Sequence, residues 1–157
     1  MSGSPPPPAP RWPLLALALA LLLLAPGPAG ASLLHLEGPR PDGLGVPDGR
    51  LPPCASSAHC ARADWPLADP AAALAGLAVT LARTPGISVL EQRADYLHAT
   101  ATSRIFGFVD DLELLADPAR GLLQARSESR LGDSDLGVNA RRLARLQAQL
   151  PSDRTGA

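Results

Sequence analysis

Lysine is absent from the 157 residues, although the chain carries fourteen arginines. Alongside abundant alanine, leucine and proline, this points to the coding bias of a G+C-rich genome, so arginine alone is not read as a phosphate-binding signal. An excess of positive charge is missing too, since fifteen acidic residues bring the formal net charge to −1. Without a long-range positive field, nucleic acid is not an expected partner. There is no glycine-rich P-loop and no dinucleotide fingerprint. The three histidines and two cysteines nowhere take zinc-ligand spacing. Cys54 and Cys60 are separated by five residues rather than the two of a thioredoxin-type redox pair. No metal and no cofactor are therefore expected. The serines sit in no nucleophile elbow.

A long apolar run is missing as well, which favours a cleaved leader over a membrane-spanning helix. Crossing the hydrocarbon layer takes roughly 20 apolar residues, whereas the run from Trp12 to Ala25 offers fourteen before Pro26-Gly27-Pro28. A polar, proline-rich start with Arg11, a short apolar run and the small residues Ala29-Gly30-Ala31 follow the order of a secretory signal peptide. Residues 1–31 are expected to be a signal peptide or an N-terminal membrane anchor. The protein is then exported to a periplasmic or cell-envelope location, or held in the cytoplasmic membrane through residues 12–25. Both cysteines lie too far from the apolar run to suggest a lipid anchor.

What is present after residue 31 is enough for one domain with one modest core. Residues 32–53 carry glycine or proline at nine of twenty-two positions and no sustained periodicity, which predicts a flexible, exposed segment. In "CASSAHC", Cys54 and Cys60 are expected to form a disulfide in an oxidising compartment. Loop closure over so short a span contributes on the order of 2 to 3 kcal/mol.

Asp69 then predicts a helix cap, and Pro70 suits the first helical position. Leu74, Leu77, Ala78 and Leu81 form an apolar stripe that ends before Pro85-Gly86. Four strands follow. "ISVLEQR" and "YLHATAT" flank a tight turn at Ala94-Asp95, and "GFVDDLELLAD" and "GLLQARSESR" flank a turn containing Asp117-Pro118 and Gly121. Setting Asp117 opposite Arg120 places Glu113 opposite Gln124 and Asp111 opposite Arg126. It also matches Leu112 with Ala125 and Leu114 with Leu123, so each face meets its own kind. In the last segment Val138, Leu143, Leu146 and Leu150 share a face, with Arg141, Arg142 and Arg145 outside, and Pro151 opens the tail 151–157. The expected fold is α+β: a single small domain over 54–150, mainly an antiparallel four-stranded sheet flanked by two helices.

"LPPCASSAHC", "YLHATATSRIFGFVDDLELLAD" and "GLLQARSESRLGDSDLGVNARRLARL" resemble the bacterial and plastid family called domain of unknown function 1499, over about residues 50 to 150. On that resemblance His98, Phe108, Val109, Asp110 and Asp111 lie on the family's central strands. Arg126, Ser127, Ser129 and Arg130 carry its serine-arginine block, and Ser134 to Asn139 with Arg142 its closing motif. Two departures stand out: "ARAD" follows Cys60 where the family has valine and two serines, and His59 stands where it has asparagine. The resemblance implies a fold and no reaction.

Three carboxylates, Asp110, Asp111 and Glu113, are closely grouped, but alternation along a strand sends Asp110 to one face and the other two to the opposite one. Asp111 is expected to pair with Arg126 on an exposed face. Asp110 shares parity with Leu112 and Leu114, so it should point inward, where an ionised carboxylate needs partners. Ser127 and Ser129 are on its side, and Arg104 or Arg142 can supply charge. His98 shares a face with Tyr96, Thr100 and Thr102. The candidate ligand-binding or structural polar network is thus His98, Arg104, Asp110, Ser127, Ser129, Arg130 and Arg142. The leading functional expectation is binding of a protein partner or small ligand. The alternative is a hydrolase-like enzyme using His98, Asp110 and Ser127 or Ser129. In "RSESRLGDSDLGVNARRLARL" Gly132 and Gly137 turn the chain and Ser134, Asp135 or Asn139 cap local amides, so the stretch reads mainly as scaffold.

Overall fold

A computed structural model describes residues 36–151; residues 1–31, expected to be a signal peptide or anchor, and the tail beyond Pro151 lie outside the described residues. Five strands form one antiparallel sheet: β1 (Cys60–Pro66), β2 (Ile87–Gln92), β3 (Tyr96–Thr102), β4 (Val109–Asp117) and β5 (Leu122–Ser129), in the order β1-β5-β4-β3-β2. Two helices, α1 (Pro70–Ala82) and α2 (Val138–Gln147), pack on it, α1 over β2, β4 and β5 and α2 over β1 and β5. The protein is an α+β single domain.

The fifth strand is the difference from the expected four. "CARADWP" shows weak alternation and ends in proline, which is tolerated at an edge because one side of an edge strand makes no ladder bonds. The Cys54–Cys60 disulfide, with Cα atoms 5.6 Å apart, closes the turn that leads into it.

Helix α1 starts as its residues dictate: Asp69 accepts the Ala72 amide at 2.9 Å and Pro70 occupies the first turn. Its buried stripe of Leu74, Leu77, Ala78 and Leu81 packs with Leu97, Leu112, Leu114, Leu123 and Trp65. Helix α2 contributes Leu143 and Leu146, and Leu150 packs at the edge. Val138, expected on that face, is exposed, and Asn139 is buried instead. Asn139, Leu143, Leu146 and Leu150 follow the helical repeat more closely than a stripe beginning at Val138 does.

The β4–β5 register is displaced by two residues from the expected one. Asp117 pairs with Leu122, Glu113 with Arg126 and Asp111 with Glu128. The loop is four residues long, Pro118 to Gly121, with the Asp117 carboxylate accepting the Arg120 amide at 3.1 Å and Gly121 at φ +63°. Left-handed geometry there is available to glycine at little steric cost, and it lets the loop close two residues later than a minimal hairpin. A shift of two preserves parity, so every side chain still points to the face its position implied.

The other sheet face is not exposed. Residues 36–53, expected to be an exposed segment, run across it. Leu36 joins Phe108 in a parallel bridge, Leu51 is buried with Tyr96 and Leu115, and Gly38 lies against Leu131 so closely that a Cβ would sit 2.6 Å from its Cγ. Proline and glycine here serve a close-fitting irregular strap, which lacks the periodicity of helix or strand and so resembles a linker in composition.

Candidate functional site

The alternation of β4 and β5 divides the polar residues between the two faces. On the strap side, Asp111 is 1% exposed and is held by Arg130, whose Nε reaches Oδ2 at 2.8 Å and whose Nη2 reaches Oδ1 at 2.9 Å. His98 Nε2 lies 2.8 Å from the same Oδ1, and Arg130 Nη1 donates to Glu37 of the strap at 2.7 Å. Burial pushes the Asp111 carboxyl up, but the hydrogen bonds from Arg130 and His98 and their charges outweigh it and leave the group below its ordinary value. Beside it Glu113 accepts from Tyr96 Oη at 2.8 Å, from Arg126 Nη1 at 2.9 Å and from the Gly45 amide at 2.7 Å. Arg126 also pairs with Glu128. Burial, and next the Glu113 carboxylate, push the Tyr96 hydroxyl well above its ordinary range. The expected Asp111–Arg126 pair is therefore replaced by Asp111–Arg130 and Glu113–Arg126, and it is buried rather than exposed.

On the helix side Asp110 Oδ2 takes a 2.6 Å hydrogen bond from Arg142 Nη2. Arg142 Nη1 also donates to Ser127 Oγ at 2.7 Å, and Ser127 Oγ bonds Asn139 Oδ1 at 2.7 Å. Asn139 Nδ2 donates to Ser129 Oγ at 3.0 Å and to the His59 carbonyl at 3.1 Å, tying α2 to β5 and to the start of β1. Four of the seven anticipated residues, Asp110, Ser127, Ser129 and Arg142, thus come together. Arg130 and His98 belong to the opposite face. Arg104 is exposed in the β3–β4 connection and joins neither group.

The triad of His98, Asp110 and a serine does not assemble. His98 pairs across β3–β4 with Glu113, whereas Ser127 is paired with Leu112 and Ser129 with Asp110. The sheet itself separates the imidazole from both hydroxyls, and His98 is 1% exposed beneath the strap. The three grouped carboxylates are split in the same way; among the described residues no cluster of His, Cys, Asp or Glu could hold a metal ion.

Above Asp110 and Ser129 lies a concave pocket of about 340 Å³. Phe106 and Phe108 from the β3–β4 connection form one wall, and Leu131 and Leu136 from the β5–α2 connection, with Val138 at the start of α2, form the other. The second wall is built by the motif "SDLGVN". Asp135 accepts the Gly137 amide at 2.7 Å and the Asn139 amide at 2.8 Å, and Ser134 Oγ accepts the Leu136 amide at 3.3 Å. Burial raises the Asp135 carboxyl, but those amide hydrogen bonds lower it more. The tight turn leaves Leu136 at φ +52° and 83% exposed. A non-glycine residue in that region is strained, and strain of this kind gathers at binding sites. Asn139 and the apolar rim were the residues that sequence reasoning missed. The helical repeat with Leu143 was the available signal for the first, and the two phenylalanines in a turn context for the second.

No curated protein and no solved structure matches the chain. Among the described residues no helix is long and apolar enough to cross a membrane. The family described as "Protein of unknown function (DUF1499)" matches residues 46–150, more than half of the sequence and all of the sheet and helices, and the chain belongs to that family.

Proposed function

We propose that this protein is an exported or membrane-tethered binding domain that takes a small, largely apolar ligand in the pocket over Asp110. The pocket carries the reading. It is concave, walled by aromatic and aliphatic side chains, and has a few polar groups at its base, which is the usual make-up of small-molecule sites. Asp110 Oδ2 is held by Arg142, while Oδ1 takes no hydrogen bond among the described residues. Because Arg142 already balances the Asp110 charge, a hydroxyl or amide N–H of the ligand fits that oxygen without adding a buried charge. The signal-like order of residues 1–31 supports export or tethering.

Titration with 1-octanol, and with an alkyl methyl ether of the same length, followed by amide NMR shifts, tests the proposal. Octanol is expected to move resonances of Phe106, Asp110, Ser129 and Leu136. It should bind roughly 3- to 10-fold more tightly than the ether, the value of one ordinary hydrogen bond. Leu136→Ser should weaken both, and Asp110→Ala should erase the preference. Shifts scattered over the surface, or none in the pocket, would remove the ligand reading.

A further inference from the structure

We propose that the pocket-bearing end of the domain seats on a lipid surface, with the tips of the β3–β4 and β5–α2 connections dipping into the headgroup region whether or not the pocket is filled. Nine large apolar side chains are exposed among the described residues, and all but Val79 and Leu90 belong to this end. Single exposed apolar residues need no explanation, but a contiguous cluster marks a contact surface. Ile105 and Phe106 are 65% and 54% exposed at one tip, and Leu136 is 83% exposed at the other. They project from two separate turns, as wedges suited to a soft, penetrable surface.

Two observations favour lipid over a protein partner. Exposed Arg104 directly precedes Ile105-Phe106, placing a cation where an inserted tip would meet headgroup phosphates. The second is the position of Leu36, which is itself part of this end: its amide donates to the Gly107 carbonyl at 3.0 Å beside Phe108. The apolar run ends at Ala25, eleven positions earlier, a distance that even a fully extended chain covers in at most ~40 Å. A chain that keeps this run in a bilayer holds the exposed end close to that bilayer. Apolar insertion and headgroup attraction then add on one face, the combination that holds peripheral proteins to membranes.

Photocrosslinking in the full chain, in native membranes, tests this. A photoreactive amino acid is placed in turn at Ile105 and Leu136, with Val79 and Leu90 as control positions and the NMR spectrum of each variant checked for the native fold. Adducts carrying the mass of a phospholipid are expected at 105 and 136 and not at 79 or 90. A lipid adduct at 136 without one at 105 would overturn the seating and leave the pocket proposal standing, because Leu136 lines the pocket and Ile105 does not. Adducts to another protein, adducts to residues 1–31 of the same chain, or equal labelling at all four positions would each overturn it.

Discussion

Asp111→Ala is expected to lower folding stability by ~3 to 5 kcal/mol, the range for removing one partner of a buried ion pair, and to do more damage than Asp110→Ala. The carboxylate is 1% exposed and takes two hydrogen bonds from Arg130 and one contact from His98. Without it a guanidinium whose side chain is 5% exposed keeps only its link to Glu37 in place, and the histidine loses its partner. Asp110 has one strong partner, Arg142, whose side chain is 17% exposed, so water can take over part of the loss. Urea unfolding of both variants at pH 7 gives the comparison. Equal midpoints for the two would mean that the strap leaves Asp111 solvated.

The same residue predicts a pH dependence. Its folded pKa lies below the unfolded value of ~3.9, so the folded state binds its proton less readily than the unfolded chain does. The resulting stability is fully present above the unfolded value and is lost as pH falls through the folded one. Asp111→Asn should therefore start less stable at pH 7 and lose less on acidification. Parallel acid limbs for variant and wild type would show that other carboxylates set the slope.

Trp65→Ala should cost a similar amount, ~3 to 5 kcal/mol, through a different mechanism, the cavity left by a large core side chain. Trp65 is 4% exposed, is paired with Leu123 and lies in the main core with the leucines of both helices. It sits on an edge strand, where local loosening would be easiest. A loss below about 1 kcal/mol would mean that β1 can peel away while the remaining four strands stay folded; the unfolding transition would then split in two when followed by far-UV circular dichroism and by NMR.

Those two residues also show how far the sequence could be read. Helix α1 was legible in full because its cap, first-turn proline and stripe are all local signals. Face assignment along β4 was legible as well, since a two-residue error in register leaves parity intact. Asp110 therefore points to the helices as its position implies. Strand β1 was not legible: "CARADWP" gains its regularity from pairing with β5, which is distant in sequence. The burial of Asp111 was hidden for a related reason. A strand whose outer face carries Asp, Glu and Arg looks solvated unless one knows that a glycine-rich strap covers it. The pocket depends on two loops that meet only in the folded protein, so its walls have no common pattern in the chain.

The strap has a consequence for the order in which the molecule can form. Glu37 meets Arg130 across 93 positions, Leu51 meets Gln124 across 73 and Gly45 meets Glu113 across 68, and β1 pairs only with β5, the last strand. A ribosome adding ~5 to 20 residues per second needs roughly 5 to 20 s to span the longest of these separations. Throughout that interval the strap, residues 36–53, lacks the partners that β5 and Arg130 supply. The low apolar content and frequent glycines and prolines of the strap keep it from aggregating while it waits, and a chain threaded N-terminus first through a narrow channel would stay loose enough to pass until β5 emerges and closes the domain from both sides.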